Sequence, residues 1–130
     1  MSYYQDSFED YGRRKIQVNW SEKLWAEHLK KHSELSNFSV ASGLIRQAIS
    51  NPSLVLQGAR QGTKELALVY YKEISRDQDF IKYIKVVVGC SANPHYVKSV
   101  WSKEALHYLV VQEKRYPQFK EIWKDPNSYI

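Results

Sequence analysis

The sequence predicts an α+β fold, in which two N-terminal helices precede a four-stranded antiparallel meander and a helical extension ends the chain. Before Pro52, apolar residues recur at intervals of three and four, which is typical of amphipathic helices. After Pro52 the chain contains short runs rich in β-branched and aromatic residues, which favour strands. The connections between these runs are too short for a parallel crossover, so neighbouring strands are expected to be antiparallel.

Both predicted helices have recognisable ends. Asn19 and Ser21 are good N-cap residues, and the first helix is expected to run from there to about Lys31. The second helix begins after Asn37 and ends before Pro52, because proline disfavours helical geometry in the residue before it. Its apolar face would consist of Phe38, Ala41, Leu44, Ile45, Ala48 and Ile49.

Four segments of the second half are predicted to form the meander: residues 54–57, 66–74, 81–90 and 95–101. Polar turns separate them, including Ser91 to Pro94 before the last strand. In the third segment Ile84, Val86, Val88 and Cys90 share one face, which we expect the helices to cover.

A chain of 130 residues is expected to form one main domain, here residues 19–102. Residues 1–18 lack clear periodicity and are predicted to be a loosely ordered arm. Residues 103–130 are predicted to be a C-terminal helical extension, although 108–112 would also fit a strand. Pro117 can begin its last helix, with Phe119, Ile122 and Trp123 on one side.

The composition restricts the classes of function. The net charge of +5 is compatible with an anionic partner such as nucleic acid, but a charge of this size also simply keeps a small protein soluble. Cys90 is the single cysteine, which excludes an intrachain disulfide and predicts a buried structural thiol. No signal peptide and no run of ~20 apolar residues is visible, so we expect a cytoplasmic protein without a membrane partner.

The segment from Trp20 to Glu34 carries the most suggestive side chains. On a helix, His28 and His32 would lie one turn apart, with Glu34 close behind. Imidazoles transfer protons near neutral pH, and a pair of them beside a carboxylate can act as acid and base. The pair could also chelate a metal, but the His-Glu-x-x-His pattern is absent and a third ligand is not evident. We therefore predict no metal site and no cofactor.

The element His28-x-x-x-His32-x-Glu34, followed by a helix that ends at Asn51-Pro52 and by a hydrophobic strand, resembles the barnase/EndoU/colicin/RelE-like nuclease superfamily. The resemblance is to its small phage and bacterial members and covers about residues 20–102. It implies a nuclease-like domain that cleaves RNA without a metal ion. It also implies a toxin-like or phage-type effector with a neutralising protein partner.

The resemblance and the chemistry of RNA cleavage together assign roles to several residues. Such cleavage needs a base for the ribose 2′-hydroxyl, an acid for the departing oxygen, and groups that stabilise the charge on phosphate. His28 and His32 would be base and acid, in either order, and Glu34 would orient one imidazole. The candidates for binding the substrate phosphate are Arg46, Lys85, Lys98 and Ser99.

Two other functions remain open. The domain could be a catalytically inactive module that binds nucleic acid or protein, with strand aromatics stacking on bases; these are Tyr70, Tyr71, Tyr83, Tyr96 and Trp101. Alternatively, the aromatic residues of the C-terminal extension would bind a partner protein or form a homodimer. Binding that weakens steeply with salt would indicate nucleic acid.

Overall fold

The computed structural model describes residues 3–21, 23, 26–27, 38–59, 65–77, 80–106 and 119–127. The strands and the long helix of this part are β1 (Tyr3–Glu9), β2 (Lys15–Ser21), α1 (Phe38–Ser50), β3 (Leu54–Ala59), β4 (Leu66–Asp77), β5 (Phe80–Gly89), β6 (His95–Leu106) and β7 (Phe119–Lys124). Lys23, Ala26 and Glu27 are also helical. Within these residues, no helix has the length and apolar character needed to span a membrane.

The strands form one mixed sheet in the order β1-β2-β6-β5-β4-β3-β7. Neighbouring strands are antiparallel except β2 and β6, which pair in parallel at Ile16–His95 and Gln17–Tyr96. The predicted fold class, two N-terminal helices before a four-stranded meander, is therefore wrong, because the described residues form a seven-stranded mixed sheet on which α1 packs. Strands β3 to β6 pair in chain order, but they are only the middle of a larger sheet.

An N-terminal hairpin occupies the region for which a loosely ordered arm was predicted. Strands β1 and β2 pair from Tyr3–Ser21 to Glu9–Lys15, so β2 also crosses the predicted boundary at residue 18. Phe8, Ile16 and Val18 are buried in the core. Burial of alternate residues is the physical reason for the strands, since one face of the hairpin joins the core and the other stays polar.

The C-terminal extension is not helical where the structure describes it. Lys103 to Leu106 continue β6, which therefore crosses the predicted boundary at residue 102, and residues 119–124 form β7 in place of a helix. Strand β7 pairs with the outer edge of β3, where Leu54 and Val55 are fully buried. This pairing gives hydrogen-bond partners to the N–H and C=O groups along the buried edge of β3. The need for these partners outweighs the helix propensity of residues 119–124.

The sheet buries side chains on both faces. On the first, which we call the α1 face, helix residues such as Ile45 and Ile49 pack against Ile84, Val86 and Val88, with Cys90 beside them. The helix thus covers the face of β5 for which helical cover was predicted. On the opposite face, which we call the far face, a second cluster contains Leu54, Leu56, Val69, Tyr71, Ile81 and Tyr83.

Candidate nucleic-acid interface

A lysine lies between two aromatic residues on the far face. Tyr71 of β4 pairs with Lys85 of β5, which pairs in turn with Trp101 of β6, so the three side chains stand in one cross-strand row. The Lys85 Nζ atom lies 5.7 Å from the centroid of the Tyr71 ring, within cation–π range. Trp101 is 44% exposed. The row therefore places an ammonium group beside an accessible indole on the sheet surface.

Ser99 belongs to the same face. It pairs with Val87, two residues along from Lys85, so Ser99 and Lys85 are diagonal neighbours on adjacent strands. Both residues are half-buried. Of the four predicted substrate-binding residues, the structure thus brings these two together.

Lys98 occupies a β-bulge and forms an ion pair. The register shifts between Val87 and Val88, which leaves Lys98 without a residue opposite it on β5. Its Nζ atom donates to Glu65 Oε2 at 2.6 Å, while the Tyr96 hydroxyl donates to Oε1 of the same carboxylate. The hydrogen bonds from Lys98 and then Tyr96 lower the pKa of Glu65. A carboxylate therefore already balances the Lys98 charge.

Arg46 lies on α1 and points toward the N-terminal hairpin. Its Nη2 atom donates to Asp6 Oδ2 at 2.6 Å, and its guanidinium lies 5.2 Å from the centroid of the Phe8 ring. Because α1 packs on the α1 face, the structure does not bring Arg46 together with Lys85 and Ser99.

The predicted catalytic residues His28, His32 and Glu34 lie outside the described residues, and their roles stay a prediction. Within the part that is described, no group of three or more histidine, cysteine, aspartate or glutamate side chains could hold a metal ion. Cys90 is partly buried, and this burial raises the pKa of its thiol.

Sequence reasoning missed a buried polar cluster that holds the β1–β2 turn against the sheet. The Asp10 carboxylate is fully buried and accepts hydrogen bonds from Tyr70 Oη at 2.7 Å and from Arg14 Nη1 at 2.8 Å. The backbone N–H groups of Gly12 and Arg14 each donate to it at 2.8 Å. Burial opposes ionisation of Asp10, but these hydrogen bonds outweigh it and lower its pKa. Two effects raise the pKa of Tyr70: its burial, which is the larger, and its hydrogen bond to Asp10.

The hydrogen-bonding of this cluster indicates a structural role. Each of the Asp10 partners belongs to the turn or to the middle of the sheet, so the carboxylate closes the turn and joins it to β4. The signal available in the sequence was the run from Asp10 to Arg14, a polar turn with a glycine between the apolar residues Phe8 and Ile16.

No family model, curated protein or solved structure matches this chain. The nuclease resemblance therefore has no support from relatives and rests on the residues of the chain itself.

Proposed function

We propose that this protein binds single-stranded RNA on the far face of its sheet and cleaves it without a metal ion. The observation that carries the binding part is the row of Tyr71, Lys85 and Trp101. A lysine attracts the phosphate backbone of any sequence, and an exposed indole can stack on any base. The net charge of +5 and the sequence pI of about 9.2 favour the same kind of partner.

The cleavage part depends on His28, His32 and Glu34. One imidazole would take the proton of the 2′-hydroxyl as that oxygen bonds to phosphorus. The other would give a proton to the 5′-oxygen as its bond to phosphorus breaks, so the two proton transfers balance. Lys85 and Ser99 are the described side chains suited to stabilising the charge on the phosphate. A toxin-like or phage-type role with a neutralising protein belongs to this proposal only if cleavage is found.

The proposal is tested by cleavage of end-labelled total RNA in the presence of EDTA. Four proteins would be compared: the wild type, a His28→Ala/His32→Ala variant of confirmed fold, Lys85→Ala, and Lys120→Ala as a charge-matched control. Lys120 is an exposed lysine of the outer strand β7. Loss of a proton-transfer group should slow cleavage about 100- to 10,000-fold, whereas Lys120→Ala should cleave at the wild-type rate. Equal cleavage by wild type and histidine variant would reject the catalytic assignment.

The second candidate function is a catalytically inactive RNA-binding module. The row of Tyr71, Lys85 and Trp101 favours it as well, because these side chains can bind RNA without any catalytic residue. Wild-type protein that retards a labelled single strand in a gel without shortening it would support this candidate over cleavage. Absence of both retardation and cleavage would reject RNA as the partner.

A further inference from the structure

The β1–β2 hairpin carries a shallow groove of about 340 Å³ that is lined by Gln5, Asp6, Ser7, Gln17, Val18 and Asn19. The lining residues form three consecutive cross-strand pairs. Gln5 faces Asn19 and Ser7 faces Gln17, with the Asp6–Val18 pair between them. The volume lies within the range of roughly 300–1,000 Å³ that small-molecule sites occupy.

The polar side chains of this groove belong to the far face. Phe8, Ile16 and Val18 join the core under α1, and side chains alternate along a strand, so Gln5, Ser7, Gln17 and Asn19 project to the other side. Gln17 pairs in parallel with Tyr96 of β6, five residues before Trp101 on the same strand. The groove and the row of Tyr71, Lys85 and Trp101 therefore share one sheet face.

The side chains of the groove disfavour a phosphate ligand. Among the described residues that line it there is no lysine or arginine. The Asp6 side chain points to the α1 face, where Arg46 binds its carboxylate at 2.6 Å, so Asp6 contributes backbone atoms and no charge to the groove. The site thus suits an uncharged ligand that forms hydrogen bonds.

The amide groups define the ligand further. Gln5 Nε2 donates to Asn19 Oδ1 at 3.1 Å, which fixes the two amides against each other. Within the described part of the chain, this bond leaves the side-chain oxygen Oε1 of Gln5 to accept a hydrogen bond from a ligand and the side-chain amino group Nδ2 of Asn19 to donate one. A nucleobase edge presents a donor next to an acceptor, and asparagine and glutamine amides recognise bases through such paired bonds.

We propose that this groove binds one base of an unpaired RNA strand through the amides of Gln5, Asn19 and Gln17, and so gives the far face a preference among bases. The inference deepens the proposed function and rests on it. Lys85 and Trp101 would hold any strand, whereas the groove would select which base lies over the hairpin.

Isolated nucleosides test the groove without any contribution from phosphate. Millimolar adenosine, cytidine and uridine would each be added to the ¹⁵N-labelled full chain, with ribose as the control, while the side-chain NH₂ resonances are followed by NMR. At least one nucleoside should shift the Gln5, Gln17 and Asn19 signals, and Asn19→Ala or Gln5→Ala should abolish the remaining shifts. Unmoved amide signals, or equal shifts with ribose alone, would overturn the base assignment.

Binding of RNA homopolymers distinguishes two negative results: a groove that selects no base, and a protein that binds no RNA. Fluorescence anisotropy would give affinities for labelled oligo(A), oligo(C) and oligo(U) of equal length. The wild type should prefer one of them by about fivefold or more, and Asn19→Ala should reduce that ratio while Lys85→Ala weakens binding to all three. Equal affinities in the wild type would overturn the groove proposal and leave RNA binding standing. No affinity for any oligomer would reject RNA binding and the groove together.

Discussion

Tyr70 donates its hydroxyl hydrogen to Asp10 at 2.7 Å and so joins the middle of the sheet to a turn 60 positions earlier in the chain. Both residues are buried, and the acceptor is a carboxylate, which makes this a charge-assisted hydrogen bond. We predict that Tyr70→Phe lowers the free energy of unfolding by about 1.5–3 kcal/mol, because the buried carboxylate loses one of its donors. Urea unfolding followed by circular dichroism measures this change.

Tyr96→Phe is the matched control for that substitution. The Tyr96 hydroxyl also donates to a carboxylate, that of Glu65, but its surroundings are only half-buried. We expect a change of about 0.5 kcal/mol or less, as for other substitutions at a partly solvated surface. Equal losses for both variants would contradict the structural importance assigned to Asp10.

Acid should weaken the fold through Asp10. Its pKa is lower in the folded protein than in the unfolded chain, where an aspartate titrates near 3.9. The ionised carboxylate therefore contributes stability that is fully present above about pH 4 and is lost as the pH falls through the lower folded value. The Asp10→Asn variant should be less stable than the wild type at neutral pH, and it should lose less stability than the wild type when the pH is lowered. Urea unfolding at a series of pH values tests this, and parallel profiles for the two proteins would contradict it.

Substitution of glycine by alanine should have opposite effects on stability at two positions. At Gly89 a Cβ atom would lie 2.6 Å from Glu65 Oε1 and 2.6 Å from Tyr96 Cζ, so both side chains would have to move. At Gly43, in α1, nothing lies within 4 Å of the added atom. We predict that Gly89→Ala destabilises the protein by about 1–3 kcal/mol and that Gly43→Ala stabilises it by about 0.5–1 kcal/mol. Thermal unfolding gives both signs, and a stabilised Gly89→Ala would contradict the close approach of Tyr96.

Local patterns in the sequence predicted α1 and the four strands β3 to β6, but not β7. The apolar stripe of α1 from Ala41 to Ile49 has helical spacing and is covered by the sheet, so pattern and packing agree. The hairpin shows the limit of such patterns. Ile16, Gln17, Val18 and Asn19 do alternate, but the place of the hairpin in the sheet depends on the parallel contact with His95 and Tyr96. That contact joins residues about eighty positions apart, which no local pattern encodes.

The candidate interface was predictable by residue type but not by position. Lys85 and Ser99 were expected to contact phosphate, and they lie on one face. That they do so depends on the register of β5 and β6, which shifts at the bulge beside Lys98. A slip of one residue would move a strand's side chains to the other face, so only the paired structure could identify Trp101 as the neighbour of Lys85.

Removal of Lys85 should reduce the salt dependence of RNA binding. Each phosphate contact made by a cation contributes about 0.7 to the slope of log affinity against log salt for single strands. We predict that Lys85→Ala lowers the slope by about that amount and weakens binding to every sequence, whereas Lys120→Ala changes neither. Anisotropy titrations over a range of salt concentrations provide the slopes. Identical slopes for the two variants would show that Lys85 contacts no phosphate.

Trp101 and Trp123 offer the sharpest comparison for base stacking. They are similarly exposed, at 44% and 42%, but Trp101 shares the far face with Lys85, whereas Trp123 stacks on Tyr11 with ring centroids 5.0 Å apart. A stacked base contributes about 1–3 kcal/mol, so Trp101→Leu should weaken binding of single-stranded RNA roughly 5- to 150-fold. Trp123→Leu should lower stability through the lost contact with Tyr11 while leaving the affinity of the folded protein unchanged. RNA affinities of both variants should be measured at a temperature where both are fully folded. A larger loss of affinity for Trp123→Leu than for Trp101→Leu would show that RNA does not bind on the far face.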